Sequence, residues 1–273
     1  MADAREPRFR WFGRWTGPGA VRRHLACVAA LAPGTTALMA VMRHQGKECG
    51  SHYRAGGEAE DRATMRWYDE FADAVGSARV VIGFEPDSLG TIDCLARDRR
   101  QDRLDVLRYG VERLSRLPNA TIYLEAGAAD WEPARRTAKQ LRYIGIAKVR
   151  GFMLNVTHHE WTKANIQHGL EISRRVAAKP FIINTSYNGR GPVRGMWCNP
   201  PNRGAGIPPT TATHHPLVDA YMWMGRPGYS AGSCNGGTLP VGTWWPERAL
   251  MYARFQTTWL ARPAGTIQGF YRR

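Results

Sequence analysis

Short apolar runs alternate with longer amphipathic stretches along most of this chain. The apolar runs are rich in β-branched or aromatic residues and are bounded by glycine, proline or asparagine, which is typical of buried parallel strands. The pattern predicts seven strands, over 9–15, 35–42, 79–87, 120–125, 149–156, 180–185 and 217–224. Each is followed by a loop or by an amphipathic stretch long enough to form a helix.

The stretches between the strands repeat apolar residues every three or four positions, the spacing of a helix with one buried face. The predicted helices include one over 20–31 and a last one over 246–260, and Thr162 is a candidate N-cap for the helix that follows it. Strand and helix alternate at roughly 30 to 40 residues per unit, as βαβ units do. No linker divides the chain, so we predict a single α/β domain over 8–273 after a disordered start over 1–7.

Two carboxyl groups mark the end of the third predicted strand. Glu85 and Asp87 flank Pro86, which cannot donate to a sheet ladder and should end the strand. Barrels of alternating strands and helices carry their chemistry at the carboxyl ends of strands. The alternative is a polar turn in which Asp87 or Ser88 caps the next helix. Glu125 ends the fourth predicted strand and is a further candidate.

Composition narrows the choice of partners. The 273 residues carry a formal net charge of +15, but basic runs such as 97–100 contain acids and lack interleaved aromatic residues. We therefore predict a solvated basic surface and no nucleic-acid partner. The five cysteines form no CxxC pair, so we predict no metal site and no cofactor. Two disulfides and a free Cys27 are expected, which indicates an oxidising compartment.

The location of the protein is predicted from the same features. The apolar stretch 25–38 follows Arg22 and Arg23 as in a secretion signal, but Pro33 and Gly34 interrupt it. No segment is long enough to cross a membrane. Because the expected disulfides indicate an oxidising compartment, we predict a secreted or cell-envelope protein. We also predict that it is monomeric and has no membrane partner.

Six short motifs occur in a fixed order along the chain. They are WFGRW at 11–15, KECG at 47–50, FEPDSL at 84–89, YLEAG at 123–127, WCNPP at 197–201 and DAYMW at 219–223. Together they resemble glycoside hydrolase family 6, the inverting cellulases (endoglucanases and cellobiohydrolases), over nearly the whole chain. The resemblance implies a distorted seven-stranded parallel β/α barrel, similar to a TIM barrel. It also implies hydrolysis of a β-1,4-glucan and the disulfides Cys49–Cys94 and Cys198–Cys234.

The resemblance also implies roles for individual residues. Asp87 matches the general acid, and Glu48 lies where the family has an aspartate that raises the pKa of the acid. Glu48 is therefore expected to modulate that pKa or to act as base through water, with Glu125 in support. A polysaccharide or oligosaccharide substrate would contact the residues that match the sugar-binding positions, namely Trp11, Trp131, Asn155, His158, Trp197, Asn199 and Tyr229.

The chain departs from the family pattern around the expected cleavage point. The loop that usually supplies the base holds Gly225, Tyr229 and Ala231 in place of lysine, glutamate and aspartate. Other departures are Met42, Ala128, His158 and Asn184. Three hypotheses follow: a hydrolase shifted to a substituted or acidic glycan, a divergent cellulase that uses water as base, and a catalytically impaired barrel that binds glycans.

Overall fold

A single parallel sheet forms the centre of the computed structural model, which describes residues 6–44 and 57–256. Its seven strands are ordered as they occur in the chain: β1 (Arg10–Gly13), β2 (Ala37–Met42), β3 (Val80–Phe84), β4 (Ala120–Glu125), β5 (Gly151–Leu154), β6 (Phe181–Asn184) and β7 (Val218–Met222). The helices are α1 (Pro18–Leu31), α2 (Glu58–Val75), α3 (Arg97–Leu114), α4 (Ala134–Ile144), α5 (Thr162–Arg175) and α6 (Pro246–Arg254). The predicted α/β class, strand count and parallel order are confirmed.

Residues of the sheet alternate between two hydrophobic layers, as a period of two requires. On β3, Val80, Ile82 and Phe84 pack towards the helices, whereas Val81 joins a smaller cluster inside the curved sheet. Gly83 also belongs to the inner side, where an added Cβ would lie 2.4 Å from the Met224 methyl group. Both faces of the sheet are therefore buried, which explains why the strands read as nearly continuous apolar runs.

The sheet closes on itself through one weak seam between its first and last strands. Within the described residues, Arg8 and Trp223 form an isolated parallel bridge instead of a ladder, and the Phe9 amide donates to the Trp223 carbonyl at 3.2 Å. The Trp11 indole donates to the Met224 carbonyl at 2.7 Å. The fold is therefore a distorted barrel whose strand order is continuous everywhere except at this seam.

Several predicted element ends are corrected by local structure. β1 ends at Gly13 because a turn follows, in which the Thr16 amide donates to the Gly13 carbonyl at 2.8 Å. β3 ends at Phe84 because Glu85 and Asp87 have φ values of 55° and 69°, outside the extended region. α6 is described only to Arg254, and the rest of its predicted length falls partly on residues 257–273, outside the described part.

The predicted N-cap at Thr162 is wrong. Thr162 is the first helical residue of α5, and Trp161 occupies the N-cap position without a side-chain cap. The Thr162 hydroxyl instead accepts a hydrogen bond from the Asn188 amide at 3.0 Å. The Thr162 hydroxyl, which the local sequence predicts to cap the helix, therefore makes a long-range contact instead.

A disulfide joins the two long loops at the carboxyl ends of the strands. Cys198 and Cys234 are bonded, with their Cα atoms 6.1 Å apart, so this predicted pair is confirmed. Cys27 is a free and exposed thiol. Glu48 and Cys49 lie outside the described residues, as does most of the predicted disordered start, so the Cys49–Cys94 pair stays a prediction. Among the described helices none is both long and apolar enough to span a membrane.

Candidate active site

A cavity of about 460 Å³ lies where the strands end and the long loops begin. Its walls come from β1, from the end of β2 and from the segments that follow β3, β4, β5, β6 and β7. The polar and aromatic lining residues are Trp11, Asp87, Thr91, Trp131, Thr157, His158, His159, Tyr187, Trp197, Asn199, Arg226, Tyr229, Ser230, Arg248 and Tyr252. The structure therefore gathers most of the predicted site residues around one space.

Asp87 is the carboxyl group that reaches this cavity from β3. The residue is only 4% exposed, and its Oδ1 accepts a hydrogen bond of 2.6 Å from the Thr157 hydroxyl. Burial raises the pKa of Asp87, although the Thr157 hydrogen bond and the nearby charges of His44 and His158 lower it in part. A carboxyl group whose pKa is raised keeps its proton closer to neutral pH, as a general acid requires.

Glu125 lies at the end of β4, behind the cavity wall. Its two oxygens accept hydrogen bonds from the amides of Leu89, at 2.8 Å, and Gly127, at 2.6 Å. Burial and then the charge of Asp87 raise the pKa of Glu125 to about 8. Glu125 does not line the cavity. It braces the turn that carries Asp87, and it is electrostatically coupled to that residue.

Glu85 points away from the cavity although it is only two residues from Asp87. Its carboxylate accepts hydrogen bonds from the Tyr68 hydroxyl at 2.7 Å and from the Arg43 amide at 2.8 Å. His44 binds the same carboxylate through its amide, at 3.0 Å, and through its ring. Burial raises the pKa of Glu85, but the contacts with His44 outweigh that effect and the net shift is downward. Glu85 therefore joins the ends of β2 and β3.

The predicted aromatic platforms differ in how much of their surface is open. Trp197 is 51% exposed, and Trp11 is anchored at the seam by its indole hydrogen bond. Trp131 is covered by the His158 ring, which stacks on it at a centroid distance of 4.5 Å. His158 in turn has its Nδ1 2.9 Å from an Asp130 carboxylate oxygen. His158, one of the departures from the family pattern, thus places an imidazole against Trp131 at the cavity wall.

Asn155 and Asn199 act on the backbone around the cavity. Asn155 is fully buried and its amide donates to the Asn184 carbonyl at 3.1 Å, so it joins the ends of β5 and β6 rather than lining the cavity. Asn199 lines the cavity, accepts a hydrogen bond from the Ala231 amide at 3.0 Å and donates to the Gly232 carbonyl at 2.7 Å. Both residues fix loops that carry other site residues.

The rim opposite Asp87 carries cations and aromatic rings. Tyr229 lines the cavity with the Arg226 guanidinium over its ring, 4.5 Å from the centroid. Gly225 and Ala231 also line it. Of the lining residues in the described part of the chain, only Asp87 has a carboxyl group. A second carboxyl group at this cavity would therefore have to come from residues outside its described lining.

Sequence reasoning did not identify Thr157, Arg248 or Tyr252 as site residues. The Tyr252 hydroxyl accepts a hydrogen bond of 2.9 Å from Arg248 and lies 3.4 Å from the His159 ring. Burial, followed by the charge of Arg248, lowers the pKa of His159 to about 3, so this histidine is neutral near pH 7. The described residues contain no group of three or more His, Cys, Asp or Glu placed to hold a metal ion.

Comparison with known proteins agrees with this geometry. The family model described as "Glycosyl hydrolases family 6" matches residues 2–254 of the chain. The chain belongs to glycosyl hydrolase family 6. This confirms the resemblance carried by the six motifs, and it accounts for the parallel barrel and the cavity at the ends of its strands.

Individual members of family 6 are similar over most of this chain. It is 35% identical to "Endoglucanase A" of Cellulomonas fimi over 251 residues, which cover 91% of this chain and 54% of that protein. It is 33% identical to "Endoglucanase 1" of Streptomyces halstedii, covering 90% of this chain and 78% of that protein. The chain therefore spans about half the length of the first relative and more of the second.

A solved structure of a family 6 member has the same fold. The endoglucanase Cel6 from Mycobacterium tuberculosis, in complex with methyl-cellobiosyl-4-deoxy-4-thio-β-D-cellobioside, superposes with a TM-score of 0.86 at 35% identity. The match covers 93% of this chain and 88% of that chain. The departures of this family 6 chain therefore lie in individual side chains and not in the backbone plan.

Proposed function

We propose that this chain is a glycosidase that hydrolyses a β-1,4-linked glucan or a related polysaccharide, with inversion and with Asp87 as general acid. The observation that carries the proposal is the position of Asp87. It is the lone carboxyl group on the described wall of a cavity that tryptophan side chains also line, and burial raises its pKa. The endoglucanases similar to this chain support cellulose as the substrate class.

In this mechanism the Asp87 carboxyl group donates its proton to the oxygen that leaves the sugar. Water attacks the opposite face, and inversion requires a base about 6.5–9.5 Å from the acid, so that the water fits between them. We assign that base, or the control of the pKa of Asp87, to Glu48. Glu125 supports the acid by position, because its carboxyl group accepts hydrogen bonds from the Leu89 and Gly127 amides and so holds the turn that carries Asp87.

The substrate lies along the aromatic residues of the cavity in this proposal. Trp11 and Trp197 offer ring faces that suit the apolar C–H faces of glucose. The stacked pair of Trp131 and His158 forms a third surface, with Asn199 and Tyr229 on the loops above. Asn155 contributes by holding the ends of β5 and β6 together.

The test replaces the acid and measures turnover separately from binding. Asp87→Asn keeps the shape and removes the transferable proton, so hydrolysis of cellohexaose should be lost while cellohexaose still binds. Asp98→Asn, at an exposed position of α3, is the matched control and should hydrolyse normally. An unchanged rate in Asp87→Asn would reject the role of this residue.

A hydrolase for a substituted or acidic glycan is the second candidate. The observation in its favour is the cationic rim, where Arg226 and Arg248 line a cavity with one carboxyl group in its described wall. Faster turnover of a uronic or sulfated oligosaccharide than of cellohexaose would support it.

A catalytically impaired glycan-binding barrel is the third candidate. It is favoured by Gly225 and Ala231, which line the cavity at positions where the family resemblance implies lysine and aspartate. Binding of oligosaccharides without any turnover would support it. Secretion or attachment to the cell envelope, a monomeric state and the absence of nucleic-acid and membrane partners remain predictions.

A further inference from the structure

We infer that a second cavity, at the N-terminus of α5, binds one pyranose ring of a polysaccharide chain outside the active site. The cavity measures about 500 Å³ and is lined by Trp161, Thr162, Lys163, Ala164, Gln167, Asn188, Gly189, Gly206 and Ile207. None of these residues lines the active-site cavity. That the bound polysaccharide is a β-glucan rests on the proposed function.

Trp161 supplies an aromatic platform at the mouth of this cavity. Trp161 is 51% exposed. The indole is held against backbone on one side, because a Cβ added at Gly191 would lie 2.1 Å from its Cε2 atom. A tryptophan ring that is fixed on one side and open to solvent matches the apolar C–H face of a sugar.

Asn188 supplies an acceptor without a partner. The residue is 3% exposed, and its amide donates to the Glu160 carbonyl and to the Thr162 hydroxyl, both at 3.0 Å. Its Oδ1 has no hydrogen-bond partner in the described structure. A buried polar atom without a partner is unfavourable, and a ligand hydroxyl that donates to it would relieve that cost.

The first turn of α5 supplies donors next to this acceptor. The N-cap residue Trp161 makes no side-chain cap, and the first helical hydrogen bond is donated by the Asn165 amide. The amides of Thr162, Lys163 and Ala164 precede that bond, so they have no partner within the helix. The residues that carry these three amide donors and the carboxamide acceptor line the same cavity as the Trp161 indole.

This combination favours a sugar over an anion. A phosphate or sulfate would satisfy the amides, but it would also bring an oxygen without a proton towards the Asn188 Oδ1. A hydroxyl group both donates and accepts, so neighbouring hydroxyls of one pyranose ring can serve the amides and the Asn188 oxygen together. The indole face then stacks on the C–H side of that ring.

Neighbouring residues of the same two chain segments line the two cavities. His158 and His159 line the active-site cavity, and Trp161, two residues further on, lines the second. In the same way Tyr187 lines the first and Asn188 the second. A polymer held at Trp161 is therefore kept next to the active site without occupying it.

Binding stoichiometry tests this inference. Calorimetric titration of the full chain carrying Asp87→Asn with cellohexaose should give two sites, and adding Trp161→Ala should leave one. With Asp87 intact, Trp161→Ala should hydrolyse short soluble oligosaccharides at the normal rate but migrate with less retardation in a gel containing hydroxyethylcellulose. Loss of one aromatic stack should weaken binding at this site about tenfold.

Two further variants serve as controls for misfolding and for the loss of any exposed tryptophan. Trp161→Phe retains a smaller platform and should bind with intermediate affinity, which separates loss of stacking from misfolding. Trp15→Ala removes another exposed tryptophan, 60% exposed and in neither cavity, and should behave as the parent. One site or none in the Asp87→Asn chain would overturn the inference. Two sites without hydrolysis by the unmodified chain would overturn only the proposed function.

Discussion

The two rims of the active-site cavity are built in different ways. At the rim formed by the ends of β3 and β4, Asp87 lines the cavity and Glu125 lies behind it. Both are buried, Asp87 accepts a hydrogen bond from the Thr157 hydroxyl, and Glu125 accepts two from backbone amides. The opposite rim is a long loop that carries Arg226, Tyr229 and Ala231 and is tied by a disulfide. Its described residues place no carboxyl group at the cavity.

The difference shows which half of the proposed reaction is built into the barrel. Donation of a proton depends on a carboxyl group in a low-dielectric position, and the strand ends provide that position for Asp87. Activation of water depends on a base about 6.5–9.5 Å away. The loop rim offers cations and a phenol instead, so the acceptor must come from another segment or from a chain of waters.

Replacement of the acid should have the largest effect. Asp87→Asn should lower kcat on cellohexaose by about 10²–10⁴, the usual contribution of a general acid. Asparagine also tolerates the left-handed backbone at this position, where φ is 69°. Steady-state kinetics with an oligosaccharide that carries no activated leaving group gives the measurement. A kcat within twofold of the parent would show that the acid rim is not where protons are donated.

Glu125→Gln should change how stability depends on pH. The pKa of Glu125 is about 8 in the folded protein, whereas an unperturbed glutamate has a pKa of 4.5, so between these values the folded state holds a proton that the unfolded state releases. Stability is therefore fully retained below the lower value and falls as pH rises towards 8. The variant should lose this decline, on the order of a few kcal/mol, in urea unfolding at about pH 5 and 8.

The control for that experiment is Glu112→Gln, because Glu112 is a partly exposed acid of α3. It should keep the decline of the parent. An identical decline in Glu125→Gln would mean that Glu125 is not the group that holds the proton, and the acid rim would then be less strongly coupled than its hydrogen bonds indicate.

Addition of a carboxyl group to the loop rim should make the two rims more alike. Ala231→Asp places an acid at a position that lines the cavity and at which the family resemblance implies an aspartate. If the base is the missing element, kcat should rise by about tenfold or more, within the range typical of general bases. Ala231→Asn, which has the same shape without the charge, should not gain. Equal rates in both variants would locate the base elsewhere.

The smallest expected effect concerns the hydrogen bond to the acid. The Thr157 hydroxyl lowers the pKa of Asp87, so Thr157→Val should raise it. A general acid works while protonated, so the alkaline limb of the kcat/KM profile should move to higher pH. Thr91→Val is the matched control, because its hydroxyl donates to the Asp87 backbone carbonyl and not to the carboxyl group. A shift in the opposite direction would contradict the assignment.

The fold follows largely from local sequence patterns. β4 begins and ends at the predicted residues, Ala120 and Glu125, because a turn precedes it and Gly127 follows it. The cavity position of Asp87 was likewise predictable, since a carboxyl group after a buried parallel strand lies at the functional edge of a barrel. These features depend on residues that are close together in sequence.

The features that could not be predicted depend on distant contacts. Glu85 and Asp87 look equivalent in sequence. In the structure, however, the Glu85 carboxylate binds Tyr68 and His44 and points away from the cavity. Thr157 reaches Asp87 across 70 residues. Nothing in the local sequence around 157 indicates that contact, and no sequence spacing shows that Arg248 of α6 will line the cavity.

The seam between β1 and β7 has a consequence for access to the cavity. A barrel with a full ladder around its circumference would hold its mouth at a fixed width. Among the described residues, one backbone hydrogen bond and the Trp11 indole join the region of the first strand to that of the last. Local opening should start where the fewest bonds cross. Separation at this joint would widen the cavity beside Trp11, so under the proposed function this is the side on which a polymer would gain access.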